Sequence, residues 1–124
     1  MPWEFNSSAP VFLQIAEKLR ADILGGKYPP GSQIPPVRTL AAEASVNPNT
    51  MQRALGELET SGLLESRGTV GRFVTSDASL LAGSLQDYKQ QTLQKLFAEA
   101  EAAGITEEEI IAFAESKRRN GKGQ

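Results

Sequence analysis

Phe12, Ile15, Ala16, Leu19 and Ile23 recur three and four apart, which predicts a helix from Pro10 to about Leu24. Gly25-Gly26 ends it. Leu40, Ala41 and Ala44 share one face of a shorter second helix, from near Pro36 to near Ala44. Ser45, Val46 and Asn47 follow as a turn. Asn47 is a favoured N-cap residue, and Pro48 suits the first helical position, where its missing N–H costs nothing. A third helix then runs to about Ser61, with Met51, Ala54, Leu55 and Leu58 as its apolar stripe and Gly62 beyond its end. Leu63–Ser66 and Arg72–Thr75 read as two short strands around a turn that contains Gly68 and Gly71. Gln33-Ile34 offers one more short strand to pair with them.

After residue 76 the pattern is helical again. Ser76 or Asp77 caps a long helix from about 78 to 103, with Leu81, Leu85, Tyr88, Leu96, Ala100 and Ala103 on its stripe. Leu93 and Phe97 widen that stripe, and Gly83 marks a kink or a break. Gly104 stops the helix, and Thr106-x-x-Glu109 is a capping box for a last one. Ile110, Ile111, Phe113 and Ala114 form its apolar face. The basic run from Ser116 to Gln124 is expected to fray. At the other end, Trp3 and Phe5 alternate in an extended arm that packs on the domain.

The positions left over by the third helix's apolar stripe carry the chemistry. Asn49, Thr50, Gln52, Arg53 and Gly56 fall off it, near the helix start. Arg pairs with guanine, Asn or Gln with adenine, and Thr meets a thymine methyl or a phosphate, so this set suits base edges in a major groove. Arg38 and Thr39 open the second helix, where Arg38 reaches a backbone phosphate if the third helix lies in the groove. Arg67 and Arg72 flank the strand turn. A helix pair followed by a basic-tipped hairpin is a winged helix-turn-helix. The expected fold class is therefore mainly α with a small β-wing, followed by a C-terminal two-helix dimerisation segment. The boundaries drawn are 1–76 for the winged domain, 77–120 for the helical segment and 121–124 for a disordered tail.

Residues of about 10–76 resemble the DNA-binding domain of the GntR family of bacterial transcription regulators. The motifs are PVFLQIAEKLRADILGGKYPPGSQIPPVRTLA, with its G-x-x-x-P-G loop, VNPNTMQRALGELETSGLL as recognition helix, and GRFV as second wing strand. The short tail is similar to the YtrA-type branch. Two positions depart from the family pattern: Pro36 stands where Ser is usual, and Thr69 where the wing usually has Gly, with Gly68 one residue early. The resemblance implies a sequence-specific, homodimeric repressor on an inverted-repeat operator. DNA contacts then fall to Arg38, Thr39, Asn47, Asn49, Thr50, Gln52, Arg53, Arg67, Gly68 and Thr69. Leu81, Leu85, Tyr88, Leu96, Ile110 and Phe113 become the dimer interface.

Composition narrows the alternatives. The chain has 124 residues, 40% of them hydrophobic, with no Cys and no His. The missing Cys excludes a disulfide framework and thiolate metal sites and fits a reducing cytoplasm. The missing His removes the commonest general base and metal ligand. GGKYPPGS lacks phosphate-loop spacing, and Glu107-Glu108-Glu109 sit at a helix start where the dipole favours acids. Neither an enzyme nor a bound cofactor is expected. No apolar run is long enough to span a membrane, and the N-terminus lacks a signal-peptide core. A net charge of −2 argues against non-specific coating of nucleic acid. Residues 1–76 are net neutral, so what matters is where Arg38, Arg53, Arg67 and Arg72 lie. An unknown small-molecule effector is compatible with the tail, but no residue there identifies one. The competing reading is a winged-helix protein-interaction module without DNA binding.

Overall fold

The computed structural model describes residues 3–122. They form α1 (Val11–Leu24), α2 (Val37–Ala44), α3 (Pro48–Thr60), β1 (Leu64–Arg67), β2 (Gly71–Val74), α4 (Ala78–Ala102) and α5 (Glu107–Lys122). They divide into two compact units, Met1–Gln86 and Asp87–Gln124.

The first unit is built on the stripes of the first three helices. Ile15, Ala16, Leu19 and Ile23 of α1, Leu40, Ala41 and Ala44 of α2, and Met51, Ala54, Leu55 and Leu58 of α3 are all buried. Ile34, Leu63, Leu64 and Val74 complete that core. Trp3 and Phe5 pack against its edge, as expected of the N-terminal arm. The turn between α2 and α3 is tight because Ser45 takes the left-handed conformation at φ 57°. Asn47 then starts α3: its side-chain oxygen accepts the Asn49 N–H at 2.7 Å, and Pro48 follows. Gly62 leaves α3 at φ 87°, a conformation that L side chains rarely adopt.

β1 and β2 pair antiparallel, from Leu64 opposite Val74 to Arg67 opposite Gly71. Both strands sit one residue nearer the turn than expected. The reason is the compact loop Gly68-Thr69-Val70, closed by the Val70 N–H on the Arg67 carbonyl at 3.0 Å. The Gln33-Ile34 segment does join the other edge of β2. Gln33 bridges Phe73, and the Ile34 N–H donates to the Arg72 carbonyl at 3.0 Å.

α4 begins on Asp77, whose carboxylate accepts the Leu80 N–H at 3.1 Å. Leu80 and Leu81 pack against the first unit's core, which is why that unit extends past residue 76. Gly83 does not interrupt the helix. One glycine costs about 1 kcal/mol relative to alanine, too little to break a helix of this length.

In the second unit, Gly104 at φ 78° ends α4, and the Ile105 N–H reaches back to the Ala100 carbonyl at 2.9 Å. The capping box forms in both directions: the Glu109 N–H donates to Thr106 Oγ1 at 3.1 Å, and the Thr106 N–H to Glu109 Oε1 at 2.9 Å. α5 then continues through Lys122 where fraying and a tail from residue 121 were expected. Lys117, Arg118 and Arg119 sit near its C-terminal end, where positive charge complements the helix dipole. Residues 123 and 124 lie outside the described residues. No described residue of this unit is fully buried. Leu96, Phe97, Ala100, Ile105, Ile110 and Phe113 line an open apolar cleft of about 580 Å³.

Candidate nucleic-acid interface

Burying Met51, Ala54, Leu55 and Leu58 leaves no freedom in what α3 shows to solvent. Asn49, Gln52 and Arg53 are exposed, and Thr50 is half-buried beside them. Gly56 lies further along, with nothing near the place its Cβ would take. Arg38 and Thr39 are exposed in the first turn of α2. Asn47 is exposed too, but its side-chain oxygen is committed to the cap, leaving only the amide N–H groups for a ligand. Arg67, Gly68 and Thr69 are exposed around the wing turn, next to Val70, which is 64% exposed.

The ion pairs sort the basic residues of the first unit. Lys18 and Lys27 both approach Asp22, at 3.5 and 3.8 Å. Arg20 meets Glu17 at 3.3 Å, and Arg67 meets Glu65 at 3.5 Å. Arg72 is paired with Glu59. Among the described residues of this unit, Arg38 and Arg53 alone have no carboxylate partner within ion-pair distance. Each lies off the buried stripe of its own helix.

Of the four arginines whose placement matters, Arg72 is not free for a ligand. Arg72 is turned inward, its side chain 18% exposed, and its guanidinium ties β2 to the last turn of α3. Glu59 thereby anchors the wing. Arg67 remains at the surface, its guanidinium 4.1 Å from the centre of the Phe73 ring. Its contact with Glu65 is solvent-exposed on both sides, so it is weak and open to exchange.

Three contributors escaped the sequence pattern. Phe12 belongs to the helical stripe of α1, yet its ring is only half-buried and carries the Arg53 guanidinium at 3.8 Å. Gln33 donates its side-chain amide to the Val70 carbonyl at 2.7 Å, fixing the wing turn. Its amide nitrogen would lie 2.6 Å from a Cβ at Gly71, so only glycine fits there without a shift. Val70 itself stands at the wing tip without any period to mark it.

The candidate dimer residues are spread over both units. Leu96, Ile110 and Phe113 line the same cleft in the second unit. Tyr88 is half-buried within that unit, and Leu85 is half-buried in the first. Leu81 packs on the first unit's own core. Among the described residues no cluster of metal-ligating side chains occurs, and no helix is long and apolar enough to cross a membrane.

Residues 12–74 match the model of the bacterial regulatory proteins of the gntR family. The chain is 32% identical over 120 residues to the HTH-type transcriptional repressor YtrA of Bacillus subtilis, covering 95% of this chain and 92% of that one. A GntR family transcriptional regulator from Listeria monocytogenes superposes with a TM-score of 0.78 at 31% identity, covering 90% of this chain and 98% of that one. The DNA-binding domain of AraR, solved in complex with operator ORE1, superposes with a TM-score of 0.54 at 31% identity over 60% of this chain and 90% of that one. With the helix pair, the hairpin wing and the matched residues all in place, the chain belongs to the GntR family of bacterial regulatory proteins.

Proposed function

We propose that this protein is a sequence-specific DNA-binding transcriptional repressor, acting in the cytoplasm as a homodimer on an inverted-repeat operator. The observation that carries the reading is that Arg38 of α2 and Arg53 of α3 are exposed and, among the described residues, have no carboxylate partner, while α3 also exposes Asn49 and Gln52. In this reading α3 enters the major groove, and Asn49, Thr50, Gln52 and Arg53 meet base edges. Arg38 and Thr39 meet the backbone, with Asn47 holding the start of α3. Arg67, Gly68 and Thr69 bring the wing to the adjacent groove or phosphates. The name of the Bacillus relative and the operator complex of AraR support repression and DNA binding. The apolar cleft between α4 and α5 supports a second copy as the partner that covers it, because two helices cannot bury such a face alone.

The interaction-module reading has less behind it. The exposed face of α3 carries no aromatic or long aliphatic side chain to anchor a protein partner. The test is selection of duplexes from a random library, then footprinting of the winner at physiological salt. Enrichment of an inverted repeat, with half-site centres about one or two helical turns apart, is the expected result. Enrichment of no sequence, from protein with intact helical content, would overturn the proposal.

A further inference from the structure

We propose that Phe12 is a positioning residue for DNA recognition: its ring is the platform that holds the Arg53 guanidinium in the pose that meets the duplex. The inference rests on the reading that α3 binds DNA. Arg53 and Asn49 are one helical turn apart and share a face, and Thr50 lies next to them. Pro10, Val11 and Phe12 form the opposite wall of a shallow groove of about 440 Å³. One wall is therefore the apolar start of α1, and the other is the polar start of α3. The two helices are locked to each other through the common core that buries Ile15, Leu19, Met51 and Leu55. The ring is thus carried on a rigid frame.

Arg53 has a long side chain and, among the described residues, no carboxylate partner to order it. What it has is the Phe12 ring, 3.8 Å from the guanidinium carbon to the ring centre. A guanidinium near a ring face is attracted by the ring quadrupole, and the ring takes none of its N–H donors. Its planar fork stays free for two parallel hydrogen bonds, the geometry that guanine or a phosphate accepts. Arg67 makes a similar contact on Phe73, but Glu65 also competes for it. Arg53 is stacked without such a competitor. A free Arg loses its rotamer freedom on binding; one already ordered by a ring loses less.

The test is a double-mutant cycle on the full-length chain, read against the duplex that wild type selects from a random library. Arg53→Ala should weaken binding about 5- to 150-fold, the range for one bidentate contact. Phe12→Leu keeps apolar bulk but removes the ring, and should weaken binding about 2- to 30-fold, the span of cation–π interactions. With Ala already at position 53, Phe12→Leu should cost almost nothing more. Phe12→Tyr restores a ring and should restore affinity. A merely structural Phe12 would give the same loss with or without Arg53, and that result would overturn the proposal, as would full affinity in Phe12→Leu. The two readings fail differently. If wild type selects no duplex, the DNA-binding reading falls and this one with it. If wild type selects one and the cycle shows no coupling, this inference alone falls.

Discussion

Gly62→Ala should destabilise the first unit through two separable effects. The first is conformational. Gly62 sits at φ 87°, where a side chain costs about 1–2 kcal/mol. About 0.4–1 kcal/mol of that is offset, because alanine restricts the unfolded chain more than glycine does. The second effect is steric. An added Cβ would lie 2.8 Å from Leu80 Cδ1, closer than real Cβ contacts come. Leu80 packs against the core, so its side chain must leave its preferred rotamer, at about 0.5–1.5 kcal/mol. The combined loss is about 0.5–3 kcal/mol, and each kcal/mol lowers the midpoint by roughly 4–8 °C in a unit of this size. Fluorescence of Trp3 is a selective readout, because it is the sole tryptophan and lies on this core. The decisive comparison uses Leu80→Ala as background. There the steric part vanishes, and the cost of Gly62→Ala should shrink by about 0.5–1.5 kcal/mol. An equal cost in both backgrounds would refute the contact, and no cost in either would refute the conformational argument.

Asn47→Ala should cost about 0.5–2 kcal/mol by removing the α3 cap, and Asn47→Asp should retain most of it; urea midpoints at one protein concentration check both. Arg38→Ala should weaken binding to all duplexes nearly evenly and reduce the slope of log K against log salt by about 2 for a dimer that carries two copies, measured by anisotropy titration. A loss confined to one sequence would instead make Arg38 a base reader. Phe113→Asp places a charge in the apolar cleft and should shift sedimentation at micromolar concentration from dimer to monomer while leaving the Trp3 signal of the first unit intact. A chain that sediments as a dimer after that change would remove Phe113 from the interface.

What was legible in the sequence is what depends on neighbours along the chain. The start of α3 followed from Asn47-Pro48 because both act on groups within one helical turn. Its stripe named all four buried positions, and so its exposed face, because helix period leaves no choice once one side is covered. The Thr106–Glu109 box formed as written. Part of what failed depends on distant partners, and part on local effects weighed too narrowly. Arg72 read as a free cation because its partner, Glu59, belongs to another element. Phe12 read as core because a periodic stripe does not distinguish a buried centre from a half-buried flank. The end of α5 read as frayed because its composition is basic, although basic residues are favoured at a helix C-terminus. Gly83 read as a break because propensity was weighed at one residue and not over the whole of α4.

The pairing of Lys18, Arg20, Lys27 and Arg72 with acids inside the first unit bears on how the protein would search a genome. Among the described residues of the first unit, only Arg38, Arg53 and the loosely held Arg67 remain to displace counterions from a duplex. Each protomer then releases about three, and the log–log salt slope of a dimer comes to roughly −5. Attraction to arbitrary DNA then weakens steeply as salt approaches physiological levels. A large share of the molecules would diffuse freely between encounters instead of tracking along the double helix. Hydrogen bonds to bases would then decide which site is occupied, while a doubling of ionic strength would still weaken binding about 30-fold at that slope.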